Sequence, residues 1–560
     1  MNPLFLLLGL LSSLPLMSRS GDEPAATDKS TGLENDQEED IVEDDVDEAG
    51  SDDDSVTPAP SAVSDDEDET IVEDHSGHDD MAEDNVTEHH SGHSHDDAHT
   101  SNPEITPPGV GASQSAINAF VSALSGASEV HSHNAGSDLH SEHNAAMALV
   151  DRGEATHVAI GDGDWDDPNI WSNGQVPGDN AKVLIPDGVT VDYGYFSDAR
   201  LFTVRVDGKI DFATNTDSQM IFDTLVVSPT GYLEMGTAND PVDADVTIDL
   251  IVANNGQIDT DWDPNLLSRG LISHGKTVIH GAEKDSHQKV TDDPMAGDKS
   301  IKFNGVPDGW QVGDKIVIAG THYDGYAWDH DLRAHTEREN EDETRTISQI
   351  DDDGRVWFDE PLTHDHDSPR ADLKTSVANY TRNVSIETEN AEDAEIYERG
   401  HVMFMHSDDV DVRYMEFHEL GRTDNSEDSA NVDDFGSLRF DSNVQGRYSV
   451  HLHRTGTNST DDPAILEGNT VYGSPGWGFV HHDSHAELSN NASYDTFGAG
   501  FVAETGNETG TWEDNIAIYA RGVDWGILKN TTNVENEPFD TARGGEGYWF
   551  QGRMVASTDN

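Results

Sequence analysis

The chain has 560 residues, a formal charge of −81 and no cysteine. The length allows two or three domains or one long solenoid, the charge argues against nucleic acid as a partner, and the missing cysteines exclude disulfides, leaving packing, backbone ladders and metal ions to hold the fold. Residues 21–100 carry about 30 carboxylates and one lysine, leaving roughly −50 on the remainder. An acidic surface of this kind suits a salty medium, where the Debye length is about 8 Å or less.

In chain order, an apolar run from Pro3 to Met17 closes on Ser18, Arg19 and Ser20. It reads as a secretory signal over residues 1–20, cleaved near Gly21, and it is too short to anchor the chain in a membrane. No later stretch approaches 18 uninterrupted apolar residues, so no membrane span is expected in the mature chain, which should be secreted or held at the cell surface. Residues 21–155 form an acidic, His-rich region with little apolar surface to offset its ordering entropy, and disorder is expected there. Within it His75, His78, His93 and His95 alternate with aspartates, a composition that suits zinc or a similar ion, or else a solvated spacer. A short helical segment is predicted near 113–128.

From Thr156 onward, short β-branched runs such as AKVLIPDGVTVDY, LFTVRVDGKIDF and DTLVVSPTGYLEM recur about every 20 to 25 residues. Order is expected to begin here. The spacing favours the coils of a β-helix over a hairpin sandwich. Later, ILEGNTVYGSPGWGFVHHDS and AELSNNASYDTFGAGFVAET superimpose at an offset of 22 residues. That offset pairs Leu466 with Leu488, Asn469 with Asn491, Tyr472 with Tyr494, Gly478 with Gly500, Phe479 with Phe501 and Val480 with Val502. Asn515 and Tyr519 continue the pattern more loosely. Each coil then supplies an asparagine to ladder along the axis and an aromatic ring to stack inside. No closing helix or polar turn precedes Asn560, so the β-helix is expected to be incomplete there.

The segment GDWDDPNIWSNGQVPGDNAKVLIPDGVTVDY holds Trp165, Trp171, Gly174, Pro177, Gly178, Asp179 and Gly188. It resembles the opening of the G-eight domain, a glycine-rich β module. RGLISHGKTVIHGAEK, GWQVGDKIVIAGTHY, ERGHVMFMHSDDVDVRYMEFHELGR and GRYSVHLHRTG follow in the order of the cell-migration-inducing and transmembrane hyaluronidases, which the chain resembles from about Thr156 to its end. The expected architecture is all-β: a G-eight-like domain over 156–280, then a right-handed parallel β-helix of pectin-lyase type over 281–560. The resemblance implies hydrolysis of hyaluronan or a related uronic-acid glycan, although bacterial-type members can act on other polymers.

Reading RYSVHLH as an alternating strand puts Tyr448, Val450 and Leu452 on one face and Ser449, His451 and His453 on the other. With the apolar set inward, two imidazoles project outward about 7 Å apart, spaced for metal binding or acid–base work on a sugar. The 22-residue register stacks His482 on Glu504 one coil away, at about 4.8 Å. His481, Asp483 and Asp495 crowd the same edge, and His406 sits on an earlier turn. The catalytic candidates are therefore His451, His453, His482, Glu504 and Asp495, and the metal candidates are His406, His481 and Asp483. Arg447 and Arg454, with Tyr448, are placed to hold a uronate carboxylate, although either arginine can equally pair with a nearby aspartate. The resemblance supports only the stretches Tyr448 to His453 and Phe501 to Gly506. Calcium is the ion expected in the β-helix. Three readings stay open: a hydrolase, a lyase needing a base and a neutralised carboxylate, and a non-catalytic glycan binder with a metal-buffering tail.

Overall fold

The computed structural model describes residues 105–127, 137–322, 328–329, 334–335, 340–368, 370–429, 432, 436–523, 542–551 and 555–558. Order begins earlier than the β pattern suggested, with two helices upstream of Thr156. Helix α1 (Gln114–Ser125) is capped by Ser113, whose Oγ accepts the Ala116 amide at 3.3 Å. Its Ile117, Phe120 and Leu124 share one side and pack on Val158, Ile160 and Leu184. Helix α2 (Ser137–Leu149) buries Ala146, Met147 and Leu149 against Val226, Leu267, Ile272, Met403 and Met405. These segments escape the expected disorder because each can cover apolar surface on a preformed sheet. The tail histidines His75, His78, His93 and His95 lie outside the described residues.

The body is a parallel β-helix, as its ladders show. One face stacks β1 (His157–Val158), β2 (Lys182–Ile185), β3 (Phe196–Val206), β4 (Ser218–Val227), β5 (Gly270–Ser273), β6 (His401–Met405), β7 (Val450–Gly456), β8 (Phe479–Ser489), β9 (Ala499–Ala503) and β10 (Glu546–Phe550), each parallel to the next. A second stack runs from Gly163–Asp164 to Val555–Thr558, and a third runs from the first half of β4, Ser218 to Phe222, through Ile248–Val252 to Ile516–Arg521. Inward residues of the stacks form one core that extends from Ala159 and Trp165 to Trp512. The solenoid therefore begins inside the segment expected to be a separate G-eight-like domain. No break in stacking falls at residue 280, because Lys276–His280 pairs directly with Val410–Arg413.

The register expected from the 22-residue repeat is present. Leu466 pairs with Leu488, Tyr472 with Tyr494, and Phe479 with Phe501. The Phe479 and Phe501 rings stack at 4.9 Å and continue to Tyr548 at 5.2 Å. Asn491 Oδ1 accepts the Asn469 amide, and Asn515 Oδ1 accepts the Asn491 amide, at 2.9 and 3.0 Å. The aromatic ring inside each coil is the phenylalanine. The tyrosine column of the repeat packs outside, with Tyr380, Val317 and Ala378.

Those partners belong to an excursion. Between His280 and Val384 the chain leaves the solenoid to form a six-stranded antiparallel sheet, in the order His287–Lys289, Ser376–Asn379, Lys315–Ile318, Glu343–Ile350, Arg355–Phe358 and Ser300–Lys302. This sheet has its own core around Trp310, Ile316, Ile347 and Val356. Exit and return are pinned together, since the Ala282 amide donates to Asn383 Oδ1 at 2.8 Å.

Candidate functional site

On β7, Val450 and Leu452 point into the core, while His451 and His453 point to the outer face, as alternation requires. Register places Met405, His453 and His482 in one outward column. Because His481 pairs with Ala503, Glu504 comes next over His482. Upstream, the same face carries Val226, Ile272, Met403 and Met405 beneath the apolar end of α2. The face is thus apolar under the C-terminal part of α2 and turns to histidine where Glu142, earlier on the helix, reaches it. His406, Arg454 and Asp483 follow the column at the corner, all with positive φ. Tyr414, Asn490 and Asp514 adopt the same conformation at other bends, so it is the solenoid's way of turning rather than strain peculiar to this site.

His482 Nδ1 lies 3.1 Å from Glu504 Oε2 and 3.4 Å from His451 Nε2. The Nδ1–H of His451 donates to the Gly446 carbonyl at 3.0 Å, which leaves its Nε2 as the free lone pair facing the cluster. Rings His451 and His482 stack at 5.6 Å, and His453 meets His482 edge-on at 4.8 Å. Asp483 Oδ2 stands 3.5 Å from His482 Nε2 and 3.8 Å from Arg454 Nε, while Thr505 Oγ1 donates to its other oxygen at 2.8 Å. From α2, Glu142 reaches His406 Nε2 at 2.9 Å, His453 Nε2 at 3.2 Å and Arg454 Nη1 at 3.0 Å.

These surroundings split the imidazoles. Burial pushes His451 well below the usual histidine range, with the neighbouring His453 and His482 adding to it, and burial lowers His453 to about 4 against the pull of Glu142. Burial also opposes charge on His482, but Glu504 and Asp483 override it and raise the group to about 10. Glu142 is held well below the usual carboxylate range: burial works against this, and hydrogen bonds from His406 and His453 outweigh it. A cationic ring between two carboxylates, beside neutral rings, is the divided titration found where acid and base roles are separated.

The ligand atoms of His451, His453 and His482 lie within 4.8 Å of one another, as do those of Glu142, His406 and His453. His453 Nδ1 is buried without a hydrogen-bond partner. Three imidazoles, with the tautomer of His451 set by the Gly446 carbonyl, suit zinc or a similar ion when all three are neutral, not the calcium expected for the β-helix, which prefers oxygen ligands.

Several candidates go elsewhere. Asp495 lies in Ala492–Phe497, on the third stack, and pairs with Arg521 at 2.6 Å. His481 has the parity of Phe479 and faces the core, with Nε2 donating to the Ser484 carbonyl at 2.8 Å and Nδ1 3.4 Å from Trp512 Nε1. Arg447 is buried, donating to the Leu266, Asn265 and Gln445 carbonyls, so it is not free to grip a substrate. Tyr448 precedes the strand, where alternation does not apply. It stacks on Trp477 at 4.8 Å and backs His451 at 5.2 Å. Glu142 was missed. The only signal for it is a Gly- and Pro-free run ending in the apolar AAMALV, inside a segment whose acidity suggested disorder.

Residues 170–291 match the G8 domain, and residues 426–544 match the CEMIP beta-helix. The second match contains His451, His453, Arg454, His482, Asp483 and Glu504; Glu142 and His406 fall outside both. Similar proteins from Dictyostelium discoideum include a G8 domain-containing protein, 24% identical over 372 residues covering 64% of this chain and 29% of that protein. Communication mutant protein F is 22% identical, covering 61% of this chain and 28% of its own length, and protein rliB is 23% identical, covering 68% and 32%. The chain thus spans about a third or less of each. Among solved structures, the tailspike protein gp49 of Pseudomonas phage LKA1 is 10% identical at a TM-score of 0.16, covering 66% of this chain and 53% of that one. The tailspike gp61 of Pseudomonas phage phi297 is 12% identical at 0.15, covering 59% and 56%. At those scores nothing about the site carries across. The chain therefore carries a G8 domain joined to a CEMIP-type β-helix and is a distant relative of G8 domain-containing proteins.

Proposed function

We propose that this chain is a secreted or cell-surface polysaccharide-active protein that hydrolyses hyaluronan or a related uronic-acid glycan at the outer-face histidine cluster. The observation that carries the reading is the His482–Glu504 pair at 3.1 Å, beside the neutral ring of His451. Glycoside hydrolysis needs a proton donor for the leaving oxygen and a base or nucleophile opposite it. The His482 imidazolium is the donor, held in place by Glu504 and Asp483, and the neutral Nε2 of His451 is the base for the attacking water. Were a zinc ion to sit on the three imidazoles instead, His482 would be a neutral ligand and not the donor, and the ion would supply a bound water of lowered pKa. Arg454 stands at the rim to pair with a sugar carboxylate.

Neutral imidazoles beside Arg454 also suit a lyase, in which a base removes the proton next to a neutralised uronate carboxylate. Incubating high-molecular-weight hyaluronan with the full chain, with and without zinc or a chelator, separates the readings. Shortened chains without new ultraviolet absorbance support hydrolysis, and shortened chains with it support elimination. Unchanged chains from a folded protein refute cleavage of this polymer and leave a glycan binder. His451→Ala and His482→Ala should each reduce cleavage at least a hundredfold while secretion and fold persist; unchanged cleavage refutes the site.

A further inference from the structure

Three donors converge on Glu142. His406 follows β6, while His453 and Arg454 lie on β7, one coil along, and both oxygens of the carboxylate are engaged, at 2.9, 3.2 and 3.0 Å. A guanidinium fork beside two imidazoles is a donor set for a carboxylate, whichever molecule brings it. The carboxylate here comes from α2, an element outside the solenoid ladder and outside both family matches. α2 is fixed by Ala146, Met147, Leu149 and Val150, which lie C-terminal to Glu142, and the Glu142 side chain stays about 30% exposed. It can turn away about its own side-chain bonds without unpacking the apolar anchor.

We infer that His406, His453 and Arg454 form a carboxylate-binding subsite that Glu142 fills from within the chain, and that the uronate carboxylate of an acidic polysaccharide displaces it. The inference rests on the polysaccharide-active reading and names the sugar group that this corner of the site takes. It also gives an anionic ligand a cationic contact on an acidic protein, because the ligand takes over the hydrogen bonds that Glu142 releases.

Calorimetric titration of the full chain with sodium glucuronate, and with N-acetylglucosamine as the uncharged control, tests it. Glu142→Gln and Glu142→Ala should each bind glucuronate at least tenfold more tightly than the unaltered chain, with no change for N-acetylglucosamine. Adding Arg454→Gln should abolish the gain. Glucuronate affinity that stays the same or falls in the Gln variant, with circular dichroism unchanged, overturns the inference. So does unchanged glucuronate affinity accompanied by weaker zinc binding, which would make Glu142 a metal ligand. Hyaluronan cleavage measured in parallel separates the two proposals: a glucuronate gain without cleavage keeps the subsite and refutes the hydrolase, whereas cleavage with unaltered glucuronate affinity does the reverse.

Discussion

Replacing Glu504 by Gln removes the carboxylate 3.1 Å from His482 Nδ1 while keeping the shape of the side chain. In the native site His482 is raised from 6.5 to about 10, a difference of about 3.5 units, worth on the order of 5 kcal/mol at 1.36 kcal/mol per unit. Asp483 supplies part of that, and Glu504 is 20% exposed, so solvent screens the pair. The expected loss in the metal-free variant is therefore about 1–2 kcal/mol at pH 7. The sign follows from linkage. A histidine raised on folding contributes fully below its unfolded value near 6.5, and its contribution is lost as pH rises through about 10. Urea unfolding of chelator-treated protein, at steps from pH 6 to pH 10.5, should show a gap between native and variant that holds through neutrality and closes towards pH 10. A gap that stays constant or widens at the alkaline end would refute this account of the pair.

Asn491→Ala should cost about 2–4 kcal/mol, because it strands the buried Asn469 amide and Leu466 carbonyl that the side chain satisfies at 2.9 Å each. Hydrogen exchange should place the loss in the coils on either side, since a solenoid couples mainly nearest neighbours; a loss spread evenly over the body would contradict this. Raising sodium chloride from about 0.05 to 0.5 M should speed association with hyaluronan, because screening weakens repulsion between a chain of net charge −81 and a polyanion. Association that slows with salt would mean that a local cationic surface dominates.

The solenoid was legible where one coil copies another. Phe479 and Phe501, or Asn469 and Asn491, occupy equivalent positions, so a single offset reveals contacts that otherwise have no local signature. The same offset found His482 over Glu504. Strand parity was legible too, and applied strictly it separates His481, which shares the parity of Phe479, from His482. Tyr448 went astray because alternation was extended two residues ahead of Val450, where the strand starts. Asp495 shares the repeat but belongs to another stack, and one-dimensional spacing does not say which corner of a coil a residue occupies. Glu142 was out of reach for a different reason. It meets His453 across a sequence separation of 311 residues, on a helix whose apolar residues gather at one end instead of recurring along a stripe.

The antiparallel excursion between His280 and Val384 starts and finishes inside one coil, with Ala282 bonded to Asn383. Its closure cost is thus met by the folded solenoid, and lengthening it adds only a slowly growing entropy. Nothing in the ladder between Lys276–His280 and Val410–Arg413 depends on what hangs from the junction. The junction is a natural graft point, where a lineage can exchange or enlarge a side domain facing the tyrosine column while the histidine cluster on the other stack keeps its geometry.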